Sequence, residues 1–230
     1  MTPIVFLPGM MCDARLFGPQ IDALSVDYPV MCVPIHAHET VQELAREVLS
    51  VAPQQFALAG LSMGGIVAME VMKQARDRVE RVALMDTNPF AEIDAVNAVR
   101  GPQIEAAQNG GLRRVMRDEM KPKYLIDGSN TGAILDLCMA MALDMGPDAF
   151  VRQSKALMTR PDQQESLARN ERPALVLMGQ DDTLCPLDRH EAMARLLSRS
   201  DLEIIYGAGH LPTLEQPEKT TAAMRRWMEA

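Results

Sequence analysis

Cysteine is scarce and scattered in this chain. Its four copies, Cys12, Cys32, Cys138 and Cys185, form no C-x-x-C pair, and none of the four histidines stands beside one at metal-site spacing. That pattern argues against a zinc site. It also suits a reducing compartment better than a disulfide framework. Basic charge is in deficit, with 23 Lys and Arg against 31 Asp and Glu, for a net charge of −8. An acidic surface repels nucleic acid and anionic membranes, so neither is expected as a partner. No apolar run approaches the roughly 18 residues that a membrane span needs. The opening MTPIVFLPGM has no basic segment and is cut by Pro8-Gly9, so it does not read as a signal peptide. A cytoplasmic location is the expectation. Aromatic residues make up 4% of the chain, whereas methionine occurs 18 times. Flexible thioethers can line an adaptable pocket, although they fill ordinary cores more often.

Apolar residues are plentiful, at 47% of 230 residues, enough for one domain or one domain with an insertion. Short apolar runs alternate with longer amphipathic ones. Strands are expected at Pro3–Leu7, Pro29–Ile35, Phe56–Leu61, Val79–Met85, Ala174–Met178 and Leu202–Tyr206. Helices are expected from Thr40 as cap to about Ala52, from Gly64 to about Ala75, from Leu187 to Leu197, and from Pro217 to Met228. Strands separated by helices imply a doubly wound, mainly parallel sheet of about six strands with helices on both faces. From Asn88 to Gln164 no comparable strand occurs. Four helical pieces (Ile93–Gln108, Leu112–Met120, Thr131–Met145 and Asp148–Met158) are separated by Gly110-Gly111, Gly128 and Gly146-Pro147. A helical insertion between the fourth and fifth strands follows, since a structureless loop of that length is implausible in a compact domain.

Gly60-Leu61-Ser62-Met63-Gly64 matches G-x-S-x-G between a strand and a helix, the context in which that motif presents a nucleophile. The Met63 N–H, at the helix start, points to where an oxyanion would form. A serine needs a base. His210, in the small-residue loop Gly207-Ala208-Gly209-His210, is the leading candidate; His190 lies in a polar helix and reads as solvated. His36 and His38 follow the second strand and are weaker bases by position. The base needs a carboxylate to hold its tautomer. Asp182, after the fifth strand, leads, with Asp86 at the end of the fourth strand as an alternative and Asp181 as a neighbour. Gly9 lets the loop after the first strand turn inward and offer the Met10 N–H as a second oxyanion donor.

The stretches LPGM (7–10), GLSMGG (60–65), GQDDTLCP (179–186) and GAGHLPTLEQPE (207–218) resemble the α/β-hydrolase superfamily over nearly the whole chain. Two features depart from the usual pattern: Pro8 stands where many members carry a histidine, and the chain begins almost directly at the first parallel strand. The resemblance implies a hydrolase core at 1–87 and 165–230 with a helical cap at 88–164. Its methionines (Met116, Met120, Met139, Met141, Met145 and Met158) could line an apolar pocket, with Gly9, Met11, His36, Met139 and Leu211 as pocket candidates. The expected function is cofactor-independent serine hydrolysis of a small ester, thioester or lactone, with no metal. Carbon–carbon bond hydrolysis, acyl transfer or perhydrolysis would use the same residues. A non-catalytic binding protein is the reading from another class. Dehalogenation is disfavoured by a serine, in place of an aspartate, at the nucleophile position.

Overall fold

Every position of Phe56–Leu61 is apolar or small, and every one is buried. A strand of that kind needs cover on both faces. The computed structural model, which describes residues 1–128 and 130–230, supplies it. Six strands form one parallel sheet: β1 (Ile4–Leu7), β2 (Val30–Cys32), β3 (Phe56–Leu61), β4 (Val79–Met85), β5 (Ala174–Gly179) and β6 (Ser200–Ile205), in the order β2-β1-β3-β4-β5-β6. The chain moves outward from β1 to β2 and returns to place β3 on the other side. A crevice opens beyond the strand ends at such a reversal. The register Leu7↔Gly60, Gly60↔Leu84 and Leu84↔Val176 brings the C-terminal ends of β1, β3, β4 and β5 level with one another.

The helices follow in chain order. A 3-10 turn at Ala14–Phe17 leads into α1 (Gly18–Leu24), and α2 (Val41–Val51) and α3 (Met63–Gln74) follow. Between β4 and β5 come α4 (Asp94–Ala106), α5 (Leu112–Val115), α6 (Thr131–Met158) and α7 (Gln164–Ala168). The chain then adds α8 (Leu187–Leu196), α9 (Pro212–Glu215) and α10 (Pro217–Glu229). Residues of α2, α3 and α8 pack into one core cluster, and those of α1 and α10 into the other, so that the sheet is covered on both sides. Thr40 starts α2 as a capping box: its Oγ1 accepts the Glu43 N–H at 3.3 Å and donates to Glu43 Oε2 at 2.7 Å.

Among the described residues no strand lies between β4 and β5. Gly146, with φ 79°, and Pro147 kink α6 where two separate helices were expected. Gly110, with φ 83°, breaks the π-helical turn Ala107–Gly111 between α4 and α5. Two strands differ in extent from expectation: β2 is three residues long, at a sheet edge where Pro34 can donate nothing, and β6 begins at Ser200. No described helix is long and apolar enough to cross a membrane.

Candidate active site

Ser62 follows β3 and caps α3 with φ 54° and ψ −117°, a backbone region that L residues rarely adopt. Strain of this kind costs about 1–3 kcal/mol and persists only where the surroundings over-determine it. The surroundings here are closely packed backbone. A Cβ on Gly64 would lie 1.9 Å from the Leu7 carbonyl oxygen, and one on Gly60 would lie 2.3 Å from the Gly64 carbonyl oxygen. The Ser62 N–H donates to the Met85 carbonyl at 2.9 Å, and Thr87 Oγ1 donates to the Ser62 carbonyl at 2.8 Å.

The loop after β6 brings His210 to this turn. His210 Nε2 lies 3.0 Å from Ser62 Oγ, and its Nδ1 lies 2.8 Å from Asp182 Oδ2. The other Asp182 oxygen accepts the N–H groups of Leu184 at 2.8 Å and Cys185 at 3.1 Å. Burial alone would raise the Asp182 pKa. The charge and hydrogen bond of His210, with those two N–H groups, outweigh burial and hold it below the ordinary carboxylate value. An ionised Asp182 fixes the proton on Nδ1 and leaves Nε2 free to accept the Ser62 proton.

Asp86, the alternative carboxylate, makes no hydrogen bond to His210. It is fully buried, with φ 44°, and its Oδ1 accepts the Gly179 N–H at 2.8 Å. Burial, then the nearby charge of Asp182, pushes Asp86 well above the ordinary carboxylate value. Two adjacent carboxyls thus shift in opposite directions, Asp182 toward the ionised form and Asp86 toward the neutral one. Asp181 is exposed. His190, expected to be solvated, is instead fully buried, with Nδ1 3.3 Å from the Pro186 carbonyl oxygen. Burial pushes its pKa down to about 4. His38 sits at the surface, 3.6 Å from Glu47.

The loop after β1 runs beside the serine: a Cβ on Gly9 would lie 3.6 Å from Ser62 Cβ. Neither the Met10 nor the Met63 N–H has an acceptor among the described residues, so both remain available to a ligand oxygen. Met11 turns away with φ 55°, and its N–H donates to Gln153 Oε1 at 2.9 Å. Gln153 Nε2 donates in turn to the Ile35 carbonyl at 2.9 Å. One buried amide on α6 therefore braces the loops after both β1 and β2.

A cavity of about 580 Å³ opens over Ser62 and is lined by Gly9, Met10, Met63, His210 and Leu211, among others. Three expected pocket residues lie elsewhere. Met11 and Met139 pack in the core, Met11 because its loop is tied back by Gln153. His36 is half-buried outside the cavity, its carbonyl accepting Arg152 Nε at 2.7 Å. Of the six methionines of the 88–164 segment, most of which suit ordinary packing, Met120 is on the cavity wall, while Met116, Met139 and Met141 are buried in core clusters.

Two further residues hold His210. The Tyr124 carbonyl accepts the His210 N–H at 2.8 Å, and the Tyr124 ring, on the cavity wall, lies 6.2 Å from the imidazole. Glu215 Oε2 accepts the N–H groups of Gly209 at 2.9 Å and Leu211 at 3.1 Å, and its Oε1 accepts that of Ile126 at 3.1 Å. Glu215 stands five residues after His210, inside a stretch already singled out, and that proximity was the signal for it. Tyr124 and Gln153 carry no local signal, since each acts on residues more than 80 positions away. Asp182, Cys185 and His210 place donor atoms within 4.8 Å of one another. Two of the three, Asp182 and His210, are already joined to each other at 2.8 Å.

A strained serine turn at the crevice of a parallel sheet, with an aspartate–histidine pair on it, defines a class. Residues 4–223 match the model of the Alpha/beta hydrolase family, and the chain belongs to that family. The chain is 23% identical over 239 residues to a biotin biosynthesis bifunctional protein of Cellvibrio japonicus, covering 98% of this chain and 47% of that protein, so it spans about half of that relative. It is 20% identical over 255 residues to a pimeloyl-[acyl-carrier protein] methyl ester esterase of Aliivibrio salmonicida, covering 99% of this chain and 92% of the relative. Among solved structures, a thermophilic esterase from Thermogutta terrifontis, with malate bound, superposes with TM-score 0.90 at 27% identity, covering 100% of this chain and 90% of that one.

Proposed function

We propose that this protein cleaves a small carboxylic ester, thioester or lactone through an acyl-enzyme on Ser62. The observation that carries this reading is the unbroken hydrogen-bond chain Asp182–His210–Ser62 opening into the cavity. Ser62 Oγ attacks the carbonyl carbon as His210 Nε2 takes its proton. The oxyanion is held by the N–H groups of Met10 and Met63, the latter at the positive end of α3. His210 passes the proton to the leaving oxygen or sulfur, which departs and leaves the acyl group on Ser62. Water, deprotonated by His210, then attacks the acyl carbon; Ser62 leaves with the proton and the acid is released. Asp182 stays ionised throughout and stabilises the imidazolium.

The helices α4 to α6 act in this reading as a cap whose side chains set substrate choice. The esterase names of the two full-length similarities fit a small ester as substrate. The test is direct. Purified protein hydrolyses 4-nitrophenyl acetate or butyrate and is labelled at Ser62 by a fluorophosphonate, while Ser62→Ala folds normally and loses both. Undiminished hydrolysis by a folded Ser62→Ala variant would sink the assignment.

A further inference from the structure

The cavity wall carries more positive charge than a neutral ester requires. Arg100 on α4 and Arg160 just after α6 both line it, with side chains only 13% and 9% exposed. They share one buried carboxylate: Glu92 Oε2 accepts from Arg100 Nη2 at 3.3 Å, and Glu92 Oε1 accepts from Arg160 Nη2 at 3.2 Å. Two guanidinium ions on one carboxylate leave one positive charge uncompensated. The other carboxylate on the wall, Glu119, is taken by Gln103 at 3.0 Å and Arg114 at 2.9 Å. Burial and then the balance of nearby charges leave Arg160 below its ordinary pKa, with Glu92 opposing and Arg100 adding to the fall.

The donors are also incompletely used. Arg160 Nε donates to the Phe90 carbonyl at 3.0 Å, which anchors that side chain. Arg100 is different. Its Nε is buried with no hydrogen-bond partner, and its Nη1 donates only to the weakly accepting thioether of Met10, at 3.8 Å, among the described residues. A buried charged donor without a partner is costly. If Arg100 served only to tie α4 to Glu92, its Nη2 would suffice. Its position is informative as well, since Met10 is the residue whose N–H faces the reacting carbonyl. The surplus charge of the Arg100–Glu92–Arg160 cluster is therefore one side chain away from the oxyanion site.

We propose that Arg100, backed by Arg160, forms an anion subsite, so that the preferred substrate is an ester, thioester or lactone bearing a carboxylate a few carbons from the carbonyl that Ser62 attacks. This rests on the hydrolase reading of Ser62. With Nη2 held by Glu92, Arg100 offers a carboxylate its Nη1 N–H groups, and in a part-buried wall such a charge-assisted hydrogen bond is stronger than in water.

The test compares 4-nitrophenyl half-esters of succinate, glutarate and adipate with the butyrate, valerate and hexanoate esters, in which a methyl group replaces the carboxylate. Uncatalysed hydrolysis is subtracted, because the half-esters' own carboxylate assists it. In the wild type, kcat/KM favours at least one half-ester over its neutral counterpart by about tenfold or more, the size of one charge-assisted hydrogen bond. Arg100→Gln brings that ratio close to one, and Arg100→Lys retains part of it. The ratio is read within each variant, so a loss of folded protein does not mimic the result. A wild type without preference at every chain length, or an unchanged ratio in Arg100→Gln, overturns the anion subsite. If Ser62 takes the fluorophosphonate and neutral esters turn over while the ratio is one, only the subsite falls. If folded protein is neither labelled nor active on any ester, the hydrolase reading falls and the subsite with it.

Discussion

Replacing Asp182 with Asn tests the hydrogen-bond chain without disturbing the fold around it. Asp182 Oδ1 accepts two N–H groups, from Leu184 and Cys185, and the amide oxygen can keep both. The amide nitrogen must then take the place of Oδ2, 2.8 Å from His210 Nδ1. A donor there forces Nδ1 to become the acceptor and moves the ring proton to Nε2. Ser62 Oγ, 3.0 Å away, then faces an N–H and has no base. Loss of the carboxylate with retained geometry lowers kcat in such chains by about 10⁴-fold, which is about 5.5 kcal/mol of barrier. The assay is kcat on a 4-nitrophenyl ester, beside a thermal melt to show that the variant is folded. The combined Ser62→Ala, Asp182→Asn protein should be no slower than Ser62→Ala alone, because the groups act as a unit. A folded Asp182→Asn protein within tenfold of wild-type kcat would refute the reasoning and return the role of acid to another residue.

Other perturbations follow from the same geometry. Asp86→Asn should stabilise the protein increasingly as pH rises. The folded-state pKa of Asp86 is raised, so the folded protein holds its proton where the unfolded chain releases it, and stability is lost as pH climbs above the ordinary carboxylate range. An amide carries no such loss, so the difference in melting temperature should be larger at pH 7 than at pH 3; a constant or reversed difference contradicts a neutral Asp86. Gly64→Ala should prevent folding, since its Cβ would meet the Leu7 carbonyl oxygen at 1.9 Å, whereas Gly132→Ala on α6, with open space around it, should fold normally; soluble yield and circular dichroism compare the two. Gln153→Leu strips partners from the buried Met11 N–H and Ile35 carbonyl. At about 1–3 kcal/mol for each orphaned group, the melt should report a loss of about 2–6 kcal/mol, and a loss below 1 kcal/mol would show that water or a neighbour replaces the amide.

The central strands were legible because both of their faces are buried. Phe56–Leu61 and Val79–Met85 are expected and found over identical spans. Edge strands carry weaker patterns: Ser200–Ile205 is half exposed, and its first residues read as turn. The segment Gly18–Leu24 was not anticipated as a helix because it opens on Gly-Pro, which reads as punctuation until proline is placed in the first helical turn. Ser62, Asp182 and His210 could be named because each lies just beyond a strand in a recognisable small-residue context, and parallel topology gathers such ends. The fate of Asp86 was not legible, since its raised pKa comes from complete burial and then from Asp182 lying beside it, and both depend on the folded packing. The cavity wall was the least legible part. Met139 and Met11 are as apolar as Met120, and only tertiary packing, with the Gln153 tie in the case of Met11, decides which of them faces the cavity.

The grip on His210 bears on how this protein can diversify. Its backbone N–H is held by Tyr124, and Glu215 fastens the histidine loop to Ile126. The segment that shapes the space above the substrate is thus also a bracket for the base. Replacing residues 121–128 to admit a new substrate would therefore alter turnover as well as selectivity. An engineered graft must bring its own acceptor for the His210 N–H and its own donor for Glu215, whereas changes on α4, which holds neither, leave the bracket intact.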